Sequence, residues 1–134
     1  MTGLPPEVLV VDDDAMIRRG YGRTLASVCR ATLVEDGEAA LELLEQGAQF
    51  DLVICDLSMP RMDGRALFAE MRLRFPACAR NLVFCTGTAD PLMLDQLAAL
   101  TGHRPLTKPV AGASLRALVN GFVPHSAHVA APVA

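Results

Sequence analysis

Three carboxylates, a hydroxyl and an ammonium group each stand at the end of a short apolar run in this chain. These residues are Asp12, Asp13, Asp56, Thr86 and Lys108. Carboxylates that lie close together repel one another unless a cation joins them. Ligands that are all oxygen suit Mg²⁺, which keeps several waters and prefers to share its shell with a phosphate. A lysine beside such a site can pair with phosphate oxygens, and a threonine can donate a hydrogen bond to a bound oxyanion.

The residue types narrow the chemistry further. The chain has no G-x-x-x-x-G-K sequence for holding ATP, and its three histidines fall late, which argues against a Ser-His-Asp or Cys-His arrangement. What remains is an acidic nucleophile beside Mg²⁺ and a lysine, a set suited to accepting a phosphoryl group as an aspartyl phosphate. Asp56 is the best nucleophile, because it stands alone while Asp12 and Asp13 are paired for metal.

Helix capping accounts for other acids of the chain but not for these three. Asp14 immediately precedes a predicted helix and Asp63 precedes Gly64 at the start of another, so we interpret both as N-caps. Capping does not require acids at the ends of two separate buried strands. The cluster is therefore interpreted as a functional site.

The apolar runs that position these residues predict a parallel sheet. They lack alternation and are rich in Val, Leu and Ile, which is typical of strands buried on both faces. The predicted strands are 7–11, 31–35, 51–55, 81–85 and, weakly, 104–107. Between and after them lie five predicted helices: 15–27, 38–47, 64–75 (stopped by Pro76), one from Pro91 to a stop at Gly102 with Asp90 as its N-cap, and 112–121. This alternation predicts an α/β fold with helices on both faces, where ligands bind beyond the carboxyl ends of the strands.

Composition indicates a single soluble domain. The 134 residues are 51% hydrophobic but only 4% aromatic, so the core must be aliphatic, and a net charge of −3 without a basic stripe argues against nucleic acid. No apolar run is long enough to span a membrane, and the N-terminus does not resemble a signal peptide, so we expect a cytoplasmic protein without membrane insertion.

The four cysteines are expected to be reduced. Residues 123–134 are expected to be a flexible tail or linker stub, with His125 and His128 too isolated to bind metal.

The motifs "VLVVDDD", "DLVICDLSMPRMDG", "CTGT" and "TKPV", in this order over residues 7–122, resemble the receiver domain of bacterial two-component response regulators and hybrid histidine kinases. The resemblance implies a flavodoxin-like, doubly wound five-stranded sheet of order 2-1-3-4-5, and a receiver domain spanning residues 1–122. It also implies a phosphorylation-activated switch that is not an enzyme beyond its own phosphorylation and slow dephosphorylation.

The resemblance assigns roles to the site residues. Asp56 becomes the phosphoacceptor, Asp13 a direct Mg²⁺ ligand, Asp12 a ligand acting largely through a metal-bound water, and the backbone carbonyl of Ser58 the last protein ligand. The remaining implied assignments are phosphoryl binding and switching by Thr86, Gly87 and Lys108, a cis bond before Pro109, and tuning of the phosphoryl lifetime by Ser58 and Thr88.

The sequence departs from the family pattern at Pro105. The family usually has an aromatic switch residue three positions before the lysine of the fifth strand, and proline cannot rotate between buried and exposed rotamers. We therefore expect output through the backbone around 86–89 or through the first predicted helix. The stretch "HRPLT" before Lys108 is also short, as in receivers of hybrid sensor kinases.

The expected partners are a sensor histidine kinase or a histidine phosphotransfer protein, contacting the first helix near Met16 and Arg19, and an unidentified downstream target. The oligomeric state is left open, and the chain is too short for a DNA-binding output domain. Two alternatives stay open from the residues. One is a Mg²⁺-dependent phosphohydrolase of the haloacid-dehalogenase type, although Ser58 occupies the position of its second acid. The other is a pseudo-receiver that binds partners constitutively.

Overall fold

The computed structural model describes residues 4–122, which form one central parallel sheet with helices on both faces. The strands are β1 Glu7–Val11, β2 Arg30–Val34, β3 Leu52–Asp56, β4 Leu82–Thr86 and β5 Leu106–Thr107. The helices are α1 Ala15–Leu25, α2 Gly37–Glu45, α3 Gly64–Arg74, α4 Pro76–Ala79, α5 Pro91–Thr101 and α6 Gly112–Asn120. The sheet order is β2-β1-β3-β4-β5, so the predicted doubly wound flavodoxin-like topology is confirmed.

Two apolar clusters cover the two faces of the sheet. Alternate residues of β1 point to opposite sides: Leu9 and Val11 join a cluster with α2, α3, α4 and α5, whereas Val8 and Val10 join one with α1 and α6. The strands β1, β3 and β4 are almost wholly buried, which explains their unbroken apolar runs. The aliphatic core packs against both faces of the central strands and so positions their carboxyl ends.

The expectation that every strand is buried on both faces is wrong for β2. This strand lies at the edge of the sheet and its residues are half-buried or exposed. The strand β5 is the opposite edge and is only two residues long, shorter than the predicted 104–107. Edge strands have one neighbour, so their packing leaves a weaker signal in the sequence.

The prediction of five helices missed α4. Pro76 does end α3, since Phe75 leaves the helical region with φ −138° and ψ 61°. However, the same proline stands at the first position of a new helical turn, where its fixed φ and missing N–H are tolerated. Residues 4–122 therefore contain six helices, and α1, α2, α3 and α6 each end before the predicted limit.

The predicted helix caps are confirmed. The side chains of Asp14, Asp63 and Asp90 accept hydrogen bonds from backbone N–H groups of α1, α3 and α5. Gly102 ends α5 in the left-handed region, with φ 83°.

The four cysteines are free, and no helix within residues 4–122 has the length and hydropathy of a transmembrane span. The tail 123–134, with its two histidines, lies outside the described residues.

Candidate functional site

The predicted site residues converge at the carboxyl edge of the sheet. Strand pairing is parallel throughout, so the ends of β1, β3, β4 and β5 meet along one edge. One carboxylate oxygen each from Asp12, Asp13 and Asp56 lies within 4.8 Å of the other two. Asp12 and Asp56 are buried and Asp13 is exposed. Three hard oxygen donors at this spacing fit a single Mg²⁺ ion.

Lys108 joins the two buried acids. Its Nζ lies 3.1 Å from Asp12 Oδ2 and 3.1 Å from Asp56 Oδ1, and its backbone N–H donates to the carbonyl of Thr86 at 2.7 Å. Burial raises the pKa of Asp56, and the hydrogen bond from Lys108 opposes this effect without cancelling it. Burial also disfavours the charged form of Lys108, but its bonds to the two acids outweigh burial and raise its pKa.

Every polar group of Asp12, in its side chain and its backbone, has a hydrogen-bond or ion-pair partner. Its Oδ1 accepts from the backbone N–H of Asp14 at 2.9 Å, and its Oδ2 faces Lys108. Its backbone N–H donates to Val34, and its carbonyl accepts from Arg18 Nη1 at 2.7 Å. Arg18 was not among the residues predicted from the sequence. Its position one turn into α1 is the only signal that could have indicated this contact.

Asp56 lies in close contact with the start of α3. A Cβ at Gly64 would stand 2.6 Å from the carbonyl oxygen of Asp56 and 2.9 Å from the ring of Phe84, so only glycine fits there. The Gly64 N–H donates to the carbonyl of Leu57 at 2.9 Å, and the Ser58 N–H lies 3.4 Å from Asp56 Oδ1. The chain thus turns sharply after β3, which brings Ser58 to the acidic cluster.

Thr86 begins an ordered loop. Its buried Oγ1 accepts from the Thr88 N–H at 3.2 Å, and Thr88 Oγ1 accepts from the Asp90 N–H at 3.1 Å. Gly87 between them is exposed. These bonds run from the site to the N-cap of α5.

The remaining family features lie around β5. The Lys108–Pro109 bond is cis, as the resemblance implied. Pro105 is half-buried just before the strand. A contact that was not predicted from the sequence joins Tyr21 to Cys85, whose Sγ accepts a hydrogen bond from the phenol at 3.8 Å. Burial raises the pKa of the Tyr21 phenol above its ordinary value and that of the Cys85 thiol to about 12.

The fold and the site together define a class of protein. The sheet is doubly wound and five-stranded and carries three acids, a threonine and a lysine at one edge, and residues 8–120 match the family model of the response regulator receiver domain. The chain belongs to this family, whose members are signalling switches of two-component systems rather than turnover enzymes.

Individual relatives agree with the family. The chain is 35% identical over 106 residues to the sensor kinase CckA of Brucella abortus, and this match covers 76% of the chain and 11% of the kinase. It is 38% identical over 85 residues to the response regulator FleR of Pseudomonas aeruginosa, covering 63% of the chain and 18% of that protein. The chain therefore spans a small part of these relatives' length. The structure of the Francisella response regulator 1452 receiver domain superposes with a TM-score of 0.77 at 25% identity, covering 86% of this chain and 93% of that one.

Proposed function

We propose that this chain is a phosphorylation-activated switch in which Asp56 accepts a phosphoryl group from a phosphohistidine in a Mg²⁺-dependent reaction. The observation that carries the proposal is the bridge of Lys108 between Asp12 and Asp56, with a carboxylate oxygen of Asp13 within 4.8 Å of theirs. The three carboxylates can bind a divalent cation, and the ammonium group can neutralise the oxygens of an incoming phosphoryl group.

The proposed Mg²⁺ ligands are Asp13, Asp56 and the backbone carbonyl of Ser58, with Asp12 acting indirectly. This division rests on the exposure of Asp13 and on the bonds that already occupy the carboxylate of Asp12. When bound, Mg²⁺ supplies positive charge against the carboxylates and the phosphoryl oxygens.

In the transfer step, a carboxylate oxygen of Asp56 forms a bond to phosphorus while the P–N bond of the donor's phosphohistidine breaks. The histidine nitrogen keeps the bonding electron pair. Asp56 must be ionised to attack, and the ammonium group of Lys108 favours the ionised form against the effect of burial. Lys108 then pairs with the phosphoryl oxygens. The Thr86 hydroxyl donates a hydrogen bond to these oxygens. Gly87 has no side chain that could block the approach of the phosphoryl group.

Ser58 and Thr88 are proposed to set the lifetime of the phosphoryl group. Both side chains are small and polar, so attacking water is not strongly excluded. We expect a moderate lifetime, and persistence of the phosphoryl group for many hours in a decay assay would contradict this expectation.

The proposed partners are a sensor histidine kinase or a histidine phosphotransfer protein. The contact surface near Met16 and Arg19 is supported by the exposure of both residues on α1, at the same end of the helix as Asp13. The domain limits at 1–122 and 123–134 and the cytoplasmic location stay predictions.

The test is the intact mass after incubation with Mg²⁺ and acetyl phosphate. We expect a single phosphoryl adduct that requires Mg²⁺ and is absent from the folded Asp56→Asn variant. If the wild type forms no adduct and does not bind beryllofluoride, the pseudo-receiver alternative replaces the proposal. Repeated turnover of p-nitrophenyl phosphate would instead favour the phosphohydrolase.

A further inference from the structure

The loop between β3 and α3, residues 57–63, is attached to the start of α2. Arg61 Nη2 lies 3.4 Å from Asp36 Oδ2, while Asp36 Oδ1 accepts a hydrogen bond from the Ala39 N–H at 2.8 Å. One carboxylate therefore caps α2 and pairs with the loop. The same loop contains Ser58, which stands beside the acidic cluster.

Gly37 provides a second and tighter contact. A Cβ at this position would lie 2.7 Å from Met62 Sδ and 3.2 Å from Met62 Cγ. Met62 is itself packed against the core cluster that contains Met59 and Leu67, which restricts where its side chain can move. Any larger residue at position 37 must therefore displace the Met62 side chain, whose Cβ would also lie only 3.5 Å from the added Cβ.

The backbone of the loop has an uncommon conformation next to these contacts. Arg61 has φ 67°, in the left-handed region that a long side chain rarely adopts. Such a conformation persists only where the surroundings over-determine it. Two contacts flank this conformation: the ion pair of Arg61 with Asp36 and the packing of Met62 against Gly37.

We propose that Asp36 and Gly37 are positioning residues for the acidic site, acting through Arg61 and Met62 to fix the loop that carries Ser58. This inference rests on the proposed function, in which the Ser58 carbonyl is a Mg²⁺ ligand. The packing of Met62 against Gly37 has the larger effect. The ion pair is weaker, because the Arg61 side chain is 72% exposed and exposed pairs contribute little.

The test is a double-mutant cycle on Gly37→Ala and Met62→Ala, read by Mg²⁺ titration calorimetry of the unphosphorylated protein and by the rate of self-phosphorylation. We expect Gly37→Ala to weaken Mg²⁺ binding about tenfold, the order found when residues supporting metal ligands are changed. The double variant should match Met62→Ala within about twofold, because the added Cβ then has no Met62 side chain to clash with. Gly20→Ala is the matched control, since a Cβ there meets nothing within 4 Å.

The other possible results distinguish failure of this inference from failure of the proposed function. Unchanged Mg²⁺ affinity in Gly37→Ala, in a protein whose wild type binds Mg²⁺ and accepts the phosphoryl group, overturns this inference alone. A lower melting temperature without a change in affinity makes Gly37 merely structural, which also overturns it. Additive effects in the double variant would show that Met62 does not carry the coupling. A wild type that neither binds Mg²⁺ nor accepts a phosphoryl group overturns the proposed function, and the inference with it.

Discussion

Lys108 is the residue on which the charge balance of the unphosphorylated site depends. Its ammonium group lies 3.1 Å from a carboxylate oxygen of each buried acid. Lys108→Met should lower the free energy of unfolding at pH 7 by about 2 kcal/mol, because two buried carboxylates lose their common partner. Added Mg²⁺ should then raise the melting temperature of the variant more than that of the wild type. Equal Mg²⁺-induced shifts in thermal denaturation would show that the lysine and the cation do not share these oxygens.

The pKa of Asp56 sets a pH dependence of known sign. Burial raises this pKa above the value of an unfolded aspartate, so ionisation of Asp56 costs stability, and the cost is absent below the unfolded pKa. Without Mg²⁺, Asp56→Asn should therefore be more stable than the wild type at pH 7, by about 1 kcal/mol. The difference should shrink as the pH falls through the folded pKa of Asp56. Urea denaturation in EDTA across this range measures it, and a constant difference would contradict the assigned cause.

At the residue scale, the sequence predicted which side chains lie together at the sheet edge but not which hydrogen bonds and ion pairs they form. These predictions were possible because Asp12, Asp13, Asp56, Thr86 and Lys108 each stand at the end of a strand or just after it. The contact of Arg18 with the Asp12 carbonyl could not, since it depends on where a flexible side chain settles after folding.

At the scale of the elements, close approach of α3 to β3 fixes the geometry after Asp56. Gly64→Ala should be severely destabilising, by about 3 kcal/mol or more, because the backbone carbonyl of Asp56 cannot yield as a side chain can. Gly20→Ala in α1 should instead stabilise the protein by about 0.5–1 kcal/mol, the difference in helix propensity. Chemical denaturation of both variants checks the contrast. A mild effect at Gly64 would mean that α3 does not need this contact.

The secondary-structure elements differ in how well the sequence pattern predicted them. Long periodic helices and fully buried strands were predicted to within a few residues, since burial itself creates their pattern. The four-residue helix α4 was missed because Pro76 can both end one helix and begin the next. Among the edge strands, β2 was located to within one residue but expected to be more buried than it is, and β5 was predicted too long, because each has a neighbouring strand on one side only.

At the scale of the whole molecule, the question is how a change at Asp56 reaches a distant surface. If Asp56 is phosphorylated as proposed, the resemblance places Pro105 where the family usually has an aromatic switch residue, and a proline cannot change rotamer in its place. The structure provides a chain of hydrogen bonds from Thr86 Oγ1 through Thr88 to Asp90, the N-cap of α5. A movement of the Thr86 hydroxyl therefore affects the loop and the start of α5 together.

We expect this loop to change when the site is occupied by a phosphoryl mimic. If Thr86 turns to donate to the bound anion, its oxygen moves away from the Thr88 N–H, and that bond at 3.2 Å is weakened. Amide hydrogen exchange of Thr88 and Asp90 should then rise about tenfold on addition of Mg²⁺ and beryllofluoride. Thr86→Ser should keep the response because it keeps the hydroxyl, whereas Thr86→Ala should respond no further. Unchanged exchange across residues 86–90 in the occupied wild type would exclude this loop and direct attention to α1, which contacts β4 through Tyr21 and Cys85.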